Sequence, residues 1–141
     1  MKKKLIRELK PAWDFYSAKK TREIFNFGRD YRDFLSKVKT ERETVLWMTK
    51  NARKKGFKDC KEKSGKKFFK INRGKSVAFF IIGKEPIQKG VRLIVAHIDS
   101  PRLDLKPNPV YEDVDLALLR THYYGGIKKY QWTSIPLSLH G

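Results

Sequence analysis

Leu93-Ile94-Val95-Ala96-His97-Ile98-Asp99-Ser100-Pro101-Arg102-Leu103-Asp104 is the most informative stretch of this 141-residue chain. Its four leading apolar residues predict a strand buried on both faces. The run stops at His97, and Ser100-Pro101 turns the chain out of the strand just after Asp99. Residues at the carboxyl end of a strand in an open α/β sheet face the crevice where ligands sit. Period two places His97 and Asp99 on one face. A neutral imidazole binds zinc through one nitrogen, while its other N–H needs an oxygen acceptor that fixes tautomer and ring orientation. His97 is therefore a candidate metal ligand, and Asp99 a candidate acid that orients the site. A histidine and an aspartate at a strand end also make an ordinary hydrogen-bonded turn, and the tripeptide alone leaves both readings open.

Working outward, Ile24, Phe27, Tyr31, Phe34 and Val38 recur at three and four residues. That spacing predicts an amphipathic helix of about 18 residues with an aromatic core face. Trp13, Phe15 and Tyr16, just before it, suggest an arm whose aromatics dock elsewhere. Thr40-Glu41-Arg42-Glu43 is a capping box that opens a second helix. Val45, Met48 and Ala52 form its apolar face, widened by Leu46 and Trp47, and Gly56 is its stop. A hairpin of the two helices against a sheet is expected.

Residues 57–67 read as a polar, lysine-rich loop. Phe68–Asn72 and Ser76–Ile82 read as paired strands with Arg73-Gly74 at the turn, the second strand interior. Beyond Asp104, Pro107 and Pro109 predict a break in regular structure. A strand is expected over residues 114–119, a turn at Tyr123-Tyr124-Gly125-Gly126 and a short strand over 135–140.

Three passages together carry a family resemblance: Val95-Ala96-His97-Ile98-Asp99-Ser100-Pro101-Arg102-Leu103-Asp104, then Lys106-Pro107-Asn108-Pro109, then Thr121-His122-Tyr123-Tyr124-Gly125-Gly126-Ile127-Lys128-Lys129-Tyr130-Gln131-Trp132. They resemble the aspartyl-aminopeptidase family of zinc metallo-aminopeptidases, in particular its bacterial branch. The similarity is strong over residues 70–141 and weaker back to Thr40–Glu43. It implies an α/β fold: the amino-terminal part of a three-layer αβα zinc-peptidase domain over residues 1–106, a helical hairpin plus mixed sheet. Residues 107–141 would then open an inserted β domain used for oligomerisation.

The resemblance also implies His97 as a zinc ligand and Asp99 as the acidic residue of the site. It further implies two zinc ions per complete site, peptide substrates cleaved at the amino terminus, and homo-oligomers. The family's remaining ligands and its general base lie downstream of the motifs present here. The expectation is therefore an incomplete fragment, inactive alone. A catalytically dead remnant is one alternative and a small basic nucleic-acid-binding protein another.

Charge bears on that last alternative. Of the formal net charge of +18, residues 1–75 hold 25 Lys/Arg against 9 Asp/Glu, a net of +16. Residues 76–141 net +2. The lysines follow no tight spacing and lack the interleaved aromatics of a single-strand binding face, which argues for a solvated surface and against nucleic acid. No apolar run approaches a membrane span. Met1–Glu8 is basic without a following apolar segment, so no secretory signal is expected and the default location is the cytoplasm. The single cysteine, Cys60, excludes an internal disulfide framework. His122 and His140 form no ligand spacing with His97 and read as structural or surface residues.

Overall fold

The structure is a computed structural model that describes residues 9–62 and 64–141. Met1–Glu8 and Lys63 lie outside the described residues. The chain divides into two compact units, residues 1–37 and 38–141.

In the first unit a 3-10 turn at Ala12–Phe15 precedes helix α1, Ala18–Lys37. Ser17 Oγ accepts the Lys20 backbone N–H at 3.2 Å, satisfying one of the helix's orphan donors. Trp13 stacks on Phe25 at 5.9 Å and meets Tyr16 edge-on at 5.9 Å, so the aromatic arm docks on its own helix. The face expected to be core is covered only in part: α1 buries no residue, Phe27 and Tyr31 are exposed, Ile24 and Phe34 are half-buried, and only Val38, just past the helix, is buried.

In the second unit, α2 spans Glu41–Lys54 and begins with the expected capping box. Thr40 Oγ1 accepts Glu43 N–H at 3.2 Å, and Glu43 Oε2 accepts Thr40 N–H at 3.0 Å. At its end Gly56 takes φ 81°, Gly56 N–H donates to Arg53 O, and Phe57 N–H donates to Ala52 O. That is the Schellman arrangement, which needs a left-handed residue that glycine adopts without strain. The buried face is Thr44, Val45, Thr49 and Ala52. Leu46 and Trp47 do not widen it and stay exposed. Thr49 can take the buried place because its hydroxyl donates to Val45 O at 2.7 Å.

A three-stranded mixed sheet follows, ordered β1 (Lys58–Asp59), β2 (Lys67–Asn72), β3 (Ser76–Ile81). The short β1, in the stretch expected to be loop, runs parallel to β2. β2 and β3 form the expected antiparallel hairpin, with Phe69 opposite Phe79 and Asn72 opposite Ser76. Arg73 (φ 50°) and Gly74 (φ 68°) turn it in the left-handed sense that matches strand twist. α2 packs against β3. The core is small: Val38, Val45, Ala52 and Phe69, with Phe69 only 1% exposed. β3 is not interior; only Val77 and Phe79 are half-buried, because one face of the sheet is uncovered.

The strand expected before His97 is absent. Residues 91–101 have no regular structure, and Leu93, Ile94 and Val95 are 79%, 95% and 80% exposed. An apolar run becomes a buried strand only where neighbours bond its backbone and cover its faces. No described residue does either.

β4 (Arg102–Asp113) and β5 (Leu116–Tyr124) form a second antiparallel pair. The prolines do not break β4. They fall where the register shifts between Leu105 and Val110, with Asn108 at φ 53°. A bulge leaves ladder positions unpaired, so a residue without N–H is tolerated there. Val114 and Asp115, expected to open the next strand, are instead its turn, at φ 52° and 60°. A single helical turn, α3, occupies Lys129–Trp132, and residues 135–140 are irregular rather than strand.

Candidate functional site

The site is built where β4 begins and β5 ends. The ladder pairs Arg102 with Tyr124 and Leu103 with Tyr123. Gly125 (φ 76°) then turns away, its α-carbon close enough to Pro101 that an added Cβ would lie 3.5 Å from Pro101 Cα. This pairing carries Tyr124 to Asp99, 25 residues away in sequence.

His97 and Asp99 meet, though not as strand neighbours on one face. The irregular backbone bends so that His97 Nδ1 lies 3.0 Å from Asp99 Oδ1 and 3.0 Å from Asp99 O. Both oxygens are acceptors, so Nδ1 carries a proton, and in the neutral ring Nε2 keeps its lone pair. No hydrogen bond engages Nε2 among the described residues. The His97 side chain is 84% exposed and that of Asp99 32%.

The second carboxylate oxygen, Asp99 Oδ2, accepts the Tyr124 hydroxyl at 2.7 Å. That bond, with help from a backbone N–H and His97, holds the Asp99 carboxyl below its ordinary range. The same bond raises the Tyr124 phenol above its own. Arg102 lies 4.0 Å over the Tyr124 ring. Its Nε donates to Asp104 Oδ1 at 2.7 Å, and a terminal nitrogen donates to Glu41 Oε1 at 3.3 Å, on the first turn of α2. These contacts, the Asp104 bond first, raise the guanidinium pKa further.

Sequence spacing singled out His97 and Asp99 as candidates, and the structure brings them into contact; Tyr124, Arg102 and Glu41 join them only through strand register and α2. No group of three or more His, Cys, Asp or Glu arranged for a metal occurs among the described residues. A catalytic zinc takes about three protein ligands. The described residues therefore fit a metal only as one prepared imidazole donor and not as a complete ligand set.

His122 and His140 lie apart from this cluster in their contacts. His122 stacks on Tyr123 at 5.0 Å and lines a shallow cavity of about 320 Å³ with Leu103, Ile127, Lys129 and Trp132; neither His97 nor Asp99 lines it. His140 Nδ1 lies 2.8 Å from Glu43 Oε1, and its Nε2 lies 2.7 Å from Ser138 Oγ. The resulting hydroxyl–imidazole–carboxylate line was not legible from spacing, since 97 residues separate Glu43 from His140. Glu43 also accepts the Lys39 and Thr40 backbone N–H groups, so the line ties residues 138–140 to the start of α2. His140, then Lys39, lowers the Glu43 carboxyl to about 2.

The Aminopeptidase I zinc metalloprotease (M18) family matches residues 34–141, and the match contains the whole His97–Asp99–Tyr124 cluster. The chain belongs to the M18 family. A probable M18 family aminopeptidase 1 of Clostridium acetobutylicum is 50% identical over 97% of this chain and 31% of its own length. Aminopeptidase I of Borrelia burgdorferi B31 superimposes with a TM-score of 0.85 at 46% identity, over 90% of this chain and 32% of that one. The M18 aminopeptidase of Thermotoga maritima gives 0.82 at 44%, over 93% and 29%. The fold is thus the α/β arrangement of M18 structures, and the chain spans about a third of the length of these relatives.

Proposed function

We propose that this M18 chain supplies His97 to the metal centre of a zinc-dependent aminopeptidase that removes amino-terminal residues from peptides. The observation that carries the reading is the paired acceptor on Nδ1, which leaves Nε2 unprotonated and exposed for a cation. A zinc ion held there would polarise the scissile carbonyl and activate water. Asp99 holds the imidazole in the metal-binding tautomer and keeps a negative charge beside it. Two zinc ions per complete site, a division into domains at residue 106, homo-oligomers and a cytoplasmic location belong to the same proposal. Support for association comes from β4–β5, which leaves Val110, Val114 and Leu116 exposed at 68%, 81% and 59%. No helix among the described residues is long and apolar enough to cross a membrane.

The test is a chimera in which residues 1–141 replace the corresponding part of the Clostridium acetobutylicum relative. Metal content by mass spectrometry and hydrolysis of aminoacyl anilides are read together. His97→Ala should lose a zinc ion and activity together. Asp99→Asn should keep the metal and lower turnover by about 10- to 100-fold, the range for groups that support a ligand. Full activity in His97→Ala overturns the assignment. Loss of zinc in Asp99→Asn as complete as in His97→Ala would make Asp99 itself a ligand. The 141-residue chain alone should show no zinc-dependent turnover, since its described residues offer too few ligands.

A further inference from the structure

We infer that Tyr124 is the positioning residue of the His97–Asp99 pair: its hydroxyl fixes one carboxylate oxygen so that the other meets His97 Nδ1. The inference rests on the reading of His97 Nε2 as a metal donor, but its own evidence is geometric. An aspartate carboxylate turns about a broad terminal torsion with no strong rotamer well. Without Tyr124 the carboxylate keeps only a backbone N–H and an imidazole whose side chain is 84% exposed. The segment carrying both residues forms neither strand nor helix over residues 91–101.

Tyr124 supplies what the segment lacks. It is the last residue of β5 and is held in register against Arg102. Its ring lies under the Arg102 guanidinium at 4.0 Å. That guanidinium is held from two directions, by Asp104 at 2.7 Å on its own strand and by Glu41 at 3.3 Å on α2. The phenol is therefore anchored by the hairpin and the helix, and its O–H donates 2.7 Å into Asp99 Oδ2. With Oδ2 occupied by a donor, Oδ1 is the carboxylate oxygen left to share the Nδ1–H of His97 with the Asp99 carbonyl, each at 3.0 Å. The consequence is a preset tautomer: Nδ1 protonated, Nε2 bare, before any metal arrives. Tyr124 acts through Asp99.

The experiment is ¹⁵N imidazole spectroscopy of the 141-residue chain at a pH where the imidazole is neutral, with His97→Ala to assign the His97 signals. The wild-type chain should show a protonated Nδ1 and an unprotonated Nε2. Tyr124→Phe keeps the ring and its contact with Arg102 and removes only the donor. It should shift the His97 tautomer ratio toward Nε2–H by roughly three- to tenfold, the range expected for one net hydrogen bond. Cross-strand contacts between residues 102 and 124 should persist, which separates positioning from folding. Asp99→Asn should shift the ratio in the same direction. An unchanged His97 tautomer in Tyr124→Phe with the hairpin intact overturns the inference.

Titration of the wild-type chain with zinc chloride tests the underlying reading separately. A perturbation confined to His97 Nε2 supports it. If the chimera keeps its full zinc content in His97→Ala while Tyr124→Phe still changes the His97 tautomer, the metal assignment fails and the positioning role stands.

Discussion

Phe69 and Ile94 stand in runs of similar apolar character, yet one is 1% exposed and the other 95%. Phe69 lies on β2, paired on both edges by β1 and β3. Phe79 meets its ring at 6.3 Å, and the Arg53 guanidinium of α2 lies 4.9 Å above it. Ile94 lies in a segment that no described strand pairs and no helix covers. Hydrophobicity states what a residue gains from burial, about 25 cal/mol per Å² of apolar surface. Whether the gain is realised depends on partner surfaces, and of these two regions only that of Phe69 has them among the described residues.

The comparison can be tested directly, beginning with the largest effect. Phe69→Ala should destabilise the chain by about 3–5 kcal/mol, the usual range for truncating a buried aromatic. Because so few residues are buried, the expected result in urea unfolding followed by circular dichroism is loss of the cooperative transition. A wild-type midpoint would mean that this sheet and α2 are not the core.

A smaller effect should appear at the start of α2. The Glu43 carboxyl titrates near 2 when folded, against an ordinary value of 4.5. A lowered carboxyl pKa stabilises the fold above the ordinary value, and that contribution is lost as pH falls toward 2. Glu43→Gln should therefore be less stable than wild type at pH above 4.5, and the gap should close on acidification toward 2. Solvent screening keeps the effect modest, since the side chain is 35% exposed. Urea midpoints of both proteins across that range check it; a gap that widens in acid contradicts the assignment.

The smallest effect sharpens the contrast. Ile94→Ser should change stability by no more than about 0.5 kcal/mol, as for other surface substitutions. A loss comparable to that of Phe69→Ala, in the same urea assay, would show that Leu93–Val95 is covered in solution and that the two regions do not differ.

Local features were readable from the sequence because their causes are local. The capping box at Thr40–Glu43 needs only neighbours three residues apart. The Gly56 stop needs one left-handed residue, and the Arg73-Gly74 turn needs two. α1 was legible from its spacing. Burial was not, because its aromatic face reports an appetite for contact and not the contact itself. The turn at Val114-Asp115 was missed because a β-branched residue rarely takes positive φ, yet the register of β4 against β5 places it there.

The site divides in the same way. His97 and Asp99 were recognisable because imidazole and carboxylate two residues apart suit metal chemistry, and the wider motifs marked the M18 family. Their relative geometry came from elsewhere. The expected strand would have put them on one face by period two. The structure joins them through a bend, and a phenol from the end of β5 holds the carboxylate. Arg102 and Glu41, 61 residues apart, complete the support from β4 and α2. Side-chain chemistry and short-range backbone preference are written residue by residue, so the sequence alone determined the family, the two long helices, the α2 cap and the candidate pair His97 and Asp99. Orientation, tautomer and burial depend on atoms brought together across many residues, and those only the tertiary structure decided.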